Sequence, residues 1–323
     1  MTTTKKRKNL PLIATLAFTY VAVWALQATG IVNDYSFAVI VTIGINIILA
    51  TSLNLVTGFT GQFSLGHAGF MSIGAYTCAL ITQKNPTVPG FLLGVAAGAT
   101  AAAVVGVLVG LPTLRLRGDY LAIATLGMAE IIRVVFLNLE ITNGAAGLSF
   151  LPQFVNWNWL FLFTAGTIVL LRNFLNSSPG RACISVREDE IAAESMGVNT
   201  TKYKVTAFSM GAFFAGVAGA LYTSYFFFIK PDLFNFNKSI DILVIVVLGG
   251  MGSLSGSVIA AVLLQLISTW LSAFPEIRMV LYSAMLVAIM LFRPQGLLGS
   301  TEVSAVISRR LSKIGRRAKE QEL

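Results

Sequence analysis

Ser178 to Lys204, SPGRACISVREDEIAAESMGVNTTKYK, is the only long polar interruption inside an otherwise apolar chain. It carries four acids within seven positions, Glu188, Asp189, Glu190 and Glu194, flanked by Arg181, Arg187, Lys202 and Lys204. Acids from Glu188 to Glu190 followed by IAAESM read as the first turn of a short helix, because negative side chains offset the positive end of the backbone dipole. Gly197 suits the stop. Two readings fit these residues: a solvated loop with a frayed helical turn, or a docking helix for a soluble partner.

Outward from this segment the chain is built for hydrocarbon. Of 323 residues, 55% are hydrophobic and 11% charged, against about 25% charged in a soluble domain. The chain therefore reads as an all-α integral membrane protein. Residues 10–33, 35–83, 85–114, 141–171, 205–229 and 242–275 contain no Asp, Glu, Lys or Arg. About 20 apolar residues cross a bilayer, so most of these runs hold one or two spans. The 29 glycines suit helices that pack closely through small surfaces. Cys78 and Cys183 offer no disulfide framework or metal pair, and a single histidine, His67, argues against a histidine metal site.

The net charge of +9 follows the positive-inside rule rather than any nucleic-acid pattern. With the amino terminus in the cytoplasm, the basic residues of the KKRK patch at 5–8, Arg115, Arg117, Arg172, Arg181, Arg187, Lys202, Lys204, Arg293 and the tail from Arg309 to Lys319 all fall inside. Lys84, Lys230, Lys238 and Arg278 fall outside, and Arg133 lies in the membrane. The basic tail reads as an anchor near anionic lipid.

Span by span, residues 10–32 resemble a signal peptide but are too long for an ordinary apolar core and read as a retained first span. A second runs from Tyr35 to Val56, and GFTGQFSLGHAGF follows as irregular backbone before another apolar run to Thr82. Gly90–Leu111 and Asp119–Asn138 are the next two. Trp157 and Trp159 mark an interface before a span down to Arg172. Val205–Ile229 returns outward, DILVIVVLGGMGSLSGSVIAAVLL is interrupted around Gly249–Gly256, and Met279–Phe292 is last. The sum is about ten spans, with a cytoplasmic amino terminus at 1–9, a polytopic domain at 10–299, and a cytoplasmic tail at 300–323.

LGHAG at Leu65–Gly69 and LGGMG at Leu248–Gly252 resemble each other, and each precedes a helix of small residues. Glycine-interrupted segments in corresponding halves point to a membrane pathway, which makes Gly66, His67, Gly69, Gly249, Gly250 and Gly252 candidates for its lining. The alternative is that these glycines only let helices touch. Asn54, late in the second span, is placed to hydrogen-bond the broken segment. His67 either lines the path or satisfies freed backbone carbonyls. Glu130 and Arg133, three apart on one helical face, are either functional or a self-neutralising pair.

With those stretches in view, the chain resembles the permease subunit of branched-chain amino acid ABC importers, LivM-type, together with urea and amide relatives. The likeness rests on LNLVTGFTGQFSLGHAGFMSIGAY from Leu53, RGDYLAIATLGMAEIIRVV from Arg117, TNGAAGL from Thr142, GRACISVREDEIAAESMGVN from Gly180, LGGMGSLSGSVIAA, and the closing LFRPQGLLG. Ala145 and Ala146 stand where the family pattern is more polar, and Ser185-Val186 where it more often has Ala-Ile.

The resemblance implies that VREDEIAAESMG couples the chain to a cytoplasmic ATPase, with Arg187, Glu188, Asp189 and Glu190 at the rim, Ile191, Ala192, Ala193 and Met196 packing, and Gly197 ending the helix. It also implies a second homologous permease subunit, two ATPase subunits, a periplasmic or lipoprotein substrate-binding protein docking on the loops at Thr142–Leu148 and Lys230–Lys238, and residence in a bacterial or archaeal cytoplasmic membrane. The sequence carries no G-x-x-x-x-G-K-[ST] loop. ATP is then used by the partner chains, and this chain binds no cofactor. A urea or short-amide importer and an ion-coupled secondary transporter remain alternatives. A membrane enzyme has little to work with in a chain holding one histidine.

Overall fold

The computed structural model describes residues 33–271 apart from Arg117, with parts of 15–29 and isolated positions between 280 and 296. Ten α-helices lie between 34 and 270. Among the described residues, extended pairing is confined to an isolated antiparallel bridge between Leu148 and Ile229.

Helix α1 (Asp34–Asn54) is the central rod, buried on every side from Gly44 onward. Apolar residues all round are the signature of such a buried helix. It runs on into a π-helical turn, Leu55–Phe59, in which each turn holds an extra residue. The hydroxyls of Thr57 and Thr60 back-bond to Leu53 O and Leu55 O at 3.0 and 2.8 Å. Together the 26 residues reach roughly 39 Å at 1.5 Å per residue. The expected end at Val56 is thus passed by one turn before the backbone leaves helical geometry at Thr60.

Beside this rod, α2 (His67–Lys84), α3 (Val88–Thr113) and α8 (Thr200–Thr223) pack backbone against backbone. A Cβ on Gly74 would lie 2.1 Å from Gly216 O, one on Gly219 1.9 Å from Met71 O, and one on Gly98 2.8 Å from Gly74 O. Helices in lipid gain association energy from such close van der Waals approach. The remaining elements are α4 (Asp119–Asn138), α5 (Trp157–Leu175), α6 (Ser178–Glu188), α7 (Glu190–Ser195), α9 (Phe236–Gly249) and α10 (Leu254–Trp270). The side chains of Thr87, Ser177, Asp189, Asn199, Asn235 and Ser253 cap α3, α6, α7, α8, α9 and α10.

Five described helices are long and apolar enough to cross a bilayer: α1 with its π turn, α3, α4, α5 and α8. α10 is apolar but shorter. The backbone is non-helical from Thr60 to Gly66 and from Gly250 to Ser253. Residues 17–25 include helical backbone, and Tyr20 of that stretch donates to Asn158 Oδ1 at 3.0 Å and stacks on Trp157. More than half of the last expected span, 279–292, falls outside the described residues, and the tail 300–323 lies wholly outside them.

Candidate functional site

The polar segment folds as two helices rather than one. Ser177 accepts from Gly180 N, Pro179 sits in the first turn, and α6 runs to Glu188. Proline tolerates that position because the first turn has no intrahelical acceptor for its missing N–H. Asp189 is extended and caps α7 by accepting from Ala192 N at 3.0 Å. The three consecutive acids therefore divide: Glu188 ends α6, Asp189 caps, and Glu190 opens α7. Gly197 closes the segment with φ +81, in the left-handed region that glycine enters without strain.

Side chains brace α7 against the start of α8. Lys204 pairs with Glu190 at 2.6 Å, and Thr200 Oγ1 donates to Glu194 Oε1 at 2.6 Å. Ile191 and Met196 are left 70% and 84% exposed, and Ala192 is exposed beside them. Ala193, expected to pack on a partner, is only 5% exposed and turned into its own chain. Cys183 is buried under the segment, and burial pushes its thiol up to about 11 against the pull of a Thr60 hydrogen bond. Thiolate is the reactive form, so at pH 8 roughly a thousandth of Cys183 is available. Maleimide labelling of native membranes is expected to miss Cys183 at pH 8; rapid labelling there would contradict its enclosure.

Arg187, expected at the rim, is partly exposed and also reaches inward. Its Nη1 donates to Gly58 O at 2.6 Å, while Nη2 meets Glu188 at 3.1 Å. A Cβ on Gly61 (φ +74) would lie 3.1 Å from Arg187 Cγ, and one on Gly252 (φ +88) 2.7 Å from Nη1. The guanidinium thus sits where the chain leaving α1 meets the loop between α9 and α10.

Asn54 holds the same meeting point from inside. Its Nδ2 donates to Ser253 O at 2.9 Å and Ser257 Oγ at 2.8 Å, and its Oδ1 accepts from Gly252 N at 2.8 Å. The Asn54 amide leaves no room for a side chain at position 58, where a Cβ would lie 1.8 Å from its Oδ1. Gly296, from the closing motif, approaches Gly250 closely, with a Cβ there 2.5 Å from Gly250 Cα. Gly249 packs on Gly256.

The structure therefore brings Asn54, Arg187, Gly250 and Gly252 into one knot and leaves other candidates elsewhere. Gly66 and Gly69 press on Thr125 and Ala129 of α4. His67 is buried, its Nε2 2.8 Å from Ser52 Oγ, so a hydroxyl rather than freed carbonyls meets the ring. Glu130 and Arg133 form the expected pair, extended by Asp232 at 3.2 Å from Arg133 Nη1. Residues given no role by the sequence join the picture. Gly58, Ser253, Ser257 and Gly296 build the knot, and the only forewarning was Ser253 three before Gly256, a capping spacing. Lys238 reaches Asn46 Oδ1 at 3.3 Å, and Asn46 donates to Gln265 Oε1 at 3.1 Å.

A cavity of about 260 Å³ lies between the polar segment and the first break, lined by Thr60, Gln62, Leu121, Val186 and Arg187 among others. Gln62 is buried, and neither end of its amide meets a hydrogen-bonding partner among the described residues.

The relatives of this chain are transport permeases. No solved structure matches the chain. The high-affinity branched-chain amino acid transport system permease protein LivM of Salmonella typhimurium is 38% identical over 292 residues, covering 80% of this chain and 68% of that protein. LivH of Escherichia coli K12 is 27% identical, covering 80% of this chain and 92% of that protein. A probable LivM of Methanocaldococcus jannaschii is 23% identical, covering 82% and 93%. The family profile described as the branched-chain amino acid transport system permease component matches residues 35–290, and the chain belongs to that family.

Proposed function

We propose that the chain is one of two homologous permease subunits of an ATP-driven importer for branched-chain or other hydrophobic amino acids. In this reading about ten spans enclose a substrate path with the partner permease, and the glycine-rich breaks at 60–66 and 250–253 lie along it. Both termini face the cytoplasm of a bacterial or archaeal cell, and a substrate-binding protein docks on the loops around 142–148 and 230–238. ATP hydrolysis belongs to two partner ATPases, in keeping with the absence of a phosphate loop from the sequence.

The observation that carries the reading is α7. Ile191 on this short helix and Met196 at its C-cap stand exposed, and the helix's carboxylates are already engaged by Lys204 and Thr200. A braced helix presenting two large apolar side chains in a polar segment suits a groove on a soluble partner. The test is the double variant Ile191→Glu, Met196→Glu in the purified assembly. Burying a charge at such an anchor is expected to cost about 2 kcal/mol or more, roughly a thirtyfold loss of ATPase affinity. ATPases should fail to co-purify and uptake should vanish, with membrane levels of the chain unchanged. Undiminished uptake that runs on an ion gradient, with no ATPase attached to the native chain, would overturn the reading in favour of a secondary transporter.

A further inference from the structure

We propose that Arg187 is the positioning residue that holds the cytoplasmic end of the path shut, with its guanidinium seated on Gly58 O in the closed arrangement and on the Gln62 amide oxygen in the open one. This rests on the ATP-driven reading above and assigns a role to a side chain that reading leaves aside.

Three observations converge. Arg187 is the penultimate residue of α6, two positions before the Asp189 cap of α7, so any displacement of α7 reaches it through a single extended residue. Its Nη1 is 2.6 Å from Gly58 O, in the π turn of α1. The same nitrogen lies where a Cβ on Gly252 would be 2.7 Å away, against the loop that Asn54 ties to α1. One side chain thus touches both breaks at once, and the absence of side chains at positions 61 and 252 is what admits it.

The second seat is Gln62. Its Oε1 is a buried acceptor with no partner among the described residues, and it lines the same cavity as Arg187. A buried amide left unpaired is unfavourable, so a donor that arrives in another state removes that penalty. The cavity wall is mixed, with Leu121 and Val186 beside Glu188, Asp189, Glu190 and Lys204, and a bond from the guanidinium to the amide oxygen would be charge-assisted. The stem of Arg187 meanwhile packs on Gly61, whose φ of +74 brings the backbone close.

A pair of acceptors for one donor makes a two-state element whose balance the ATPase can shift by moving α7. Loss of the charge-assisted bond to Gly58 O is expected to move the closed–open balance about tenfold or more.

The experiment uses the complete importer in liposomes, with native chain, Arg187→Met, Arg187→Lys and Gln62→Leu. Methionine keeps a stem against Gly61 and removes the donors; lysine keeps one donor. Arg187→Met is expected to admit passive leak of amino acid without ATP and to hydrolyse ATP whether or not the binding protein is loaded, with uptake per ATP down about tenfold. Arg187→Lys should restore much of the coupling. Gln62→Leu should show the opposite sign: no leak, ATPases still bound, and slower uptake. Tight coupling without leak in Arg187→Met, or loss of the ATPases from it, overturns the proposal; so does native uptake in Gln62→Leu. If Arg187→Met fails to assemble, Gln62→Leu decides: slower uptake with the ATPases bound supports the second seat, and native uptake overturns it. A native importer without ATP-dependent uptake would instead overturn the ATP-driven reading.

Discussion

Gly74→Ala is expected to remove the chain from the membrane as a folded species, while Gly166→Ala leaves it intact. The pair adds the same methyl group to two helices. At Gly74 that methyl meets Gly216 O at 2.1 Å and Gly216 Cα at 2.4 Å, backbone atoms that cannot rotate aside. At Gly166 nothing lies within 4 Å. Overpacking a core costs about 1–3 kcal/mol when side chains can shift. Here α2 and α8 themselves must separate, and with them α3, which meets Gly74 through Gly98. Size-exclusion profiles of the two tagged variants in mild detergent decide the matter. A monodisperse, native-like Gly74→Ala would refute the backbone contact between these helices.

Asn54→Leu carries the largest functional effect after that. Leucine has similar bulk but neither donates nor accepts, so Gly252 N, Ser253 O and the Ser257 hydroxyl lose their shared partner inside a buried site. Ser253 O and the Ser257 hydroxyl keep each other at 3.2 Å, whereas Gly252 N is left unsatisfied at a cost of about 1–3 kcal/mol, and the side-chain tie between the 250–253 loop and α1 is lost. Uptake normalised to membrane level is expected to fall by about tenfold or more, since each ~1.4 kcal/mol is worth tenfold. Asn54→Asp keeps the acceptor for Gly252 N and should retain more of the activity than leucine does. Uptake by Asn54→Leu within twofold of native would show that the knot is not needed for transport.

Hydropathy and charge gave away the elements that owe their existence to local composition. The Asp119–Asn138 helix has the limits read from its sequence, and Trp157 does open α5. The polar segment stood out because it interrupts an apolar chain. α6 escaped notice because SPGRACISVRE is short and of mixed polarity, although Ser177 and Pro179 are ordinary start signals. The burial of Ala193 and the inward reach of the Arg187 guanidinium to Gly58 O were hidden for a different reason. An arginine among acids reads as solvent-facing, and only the paired absence of side chains at Gly61 and Gly252, 191 positions apart, makes room for the stem and the guanidinium. Asn54 was singled out as polar within a span, yet its partners lie 198 to 203 residues away, beyond any local pattern.

The trio of α2, α3 and α8 has a practical consequence for anyone watching this transporter work. Helices whose backbones already touch at Gly74, Gly98, Gly216 and Gly219 have no compressible layer between them. Spectroscopic labels attached to the free faces of these three helices therefore report a constant separation through the transport cycle. They furnish an internal ruler against which the travel of α1, α7 and the loops beside them is measured.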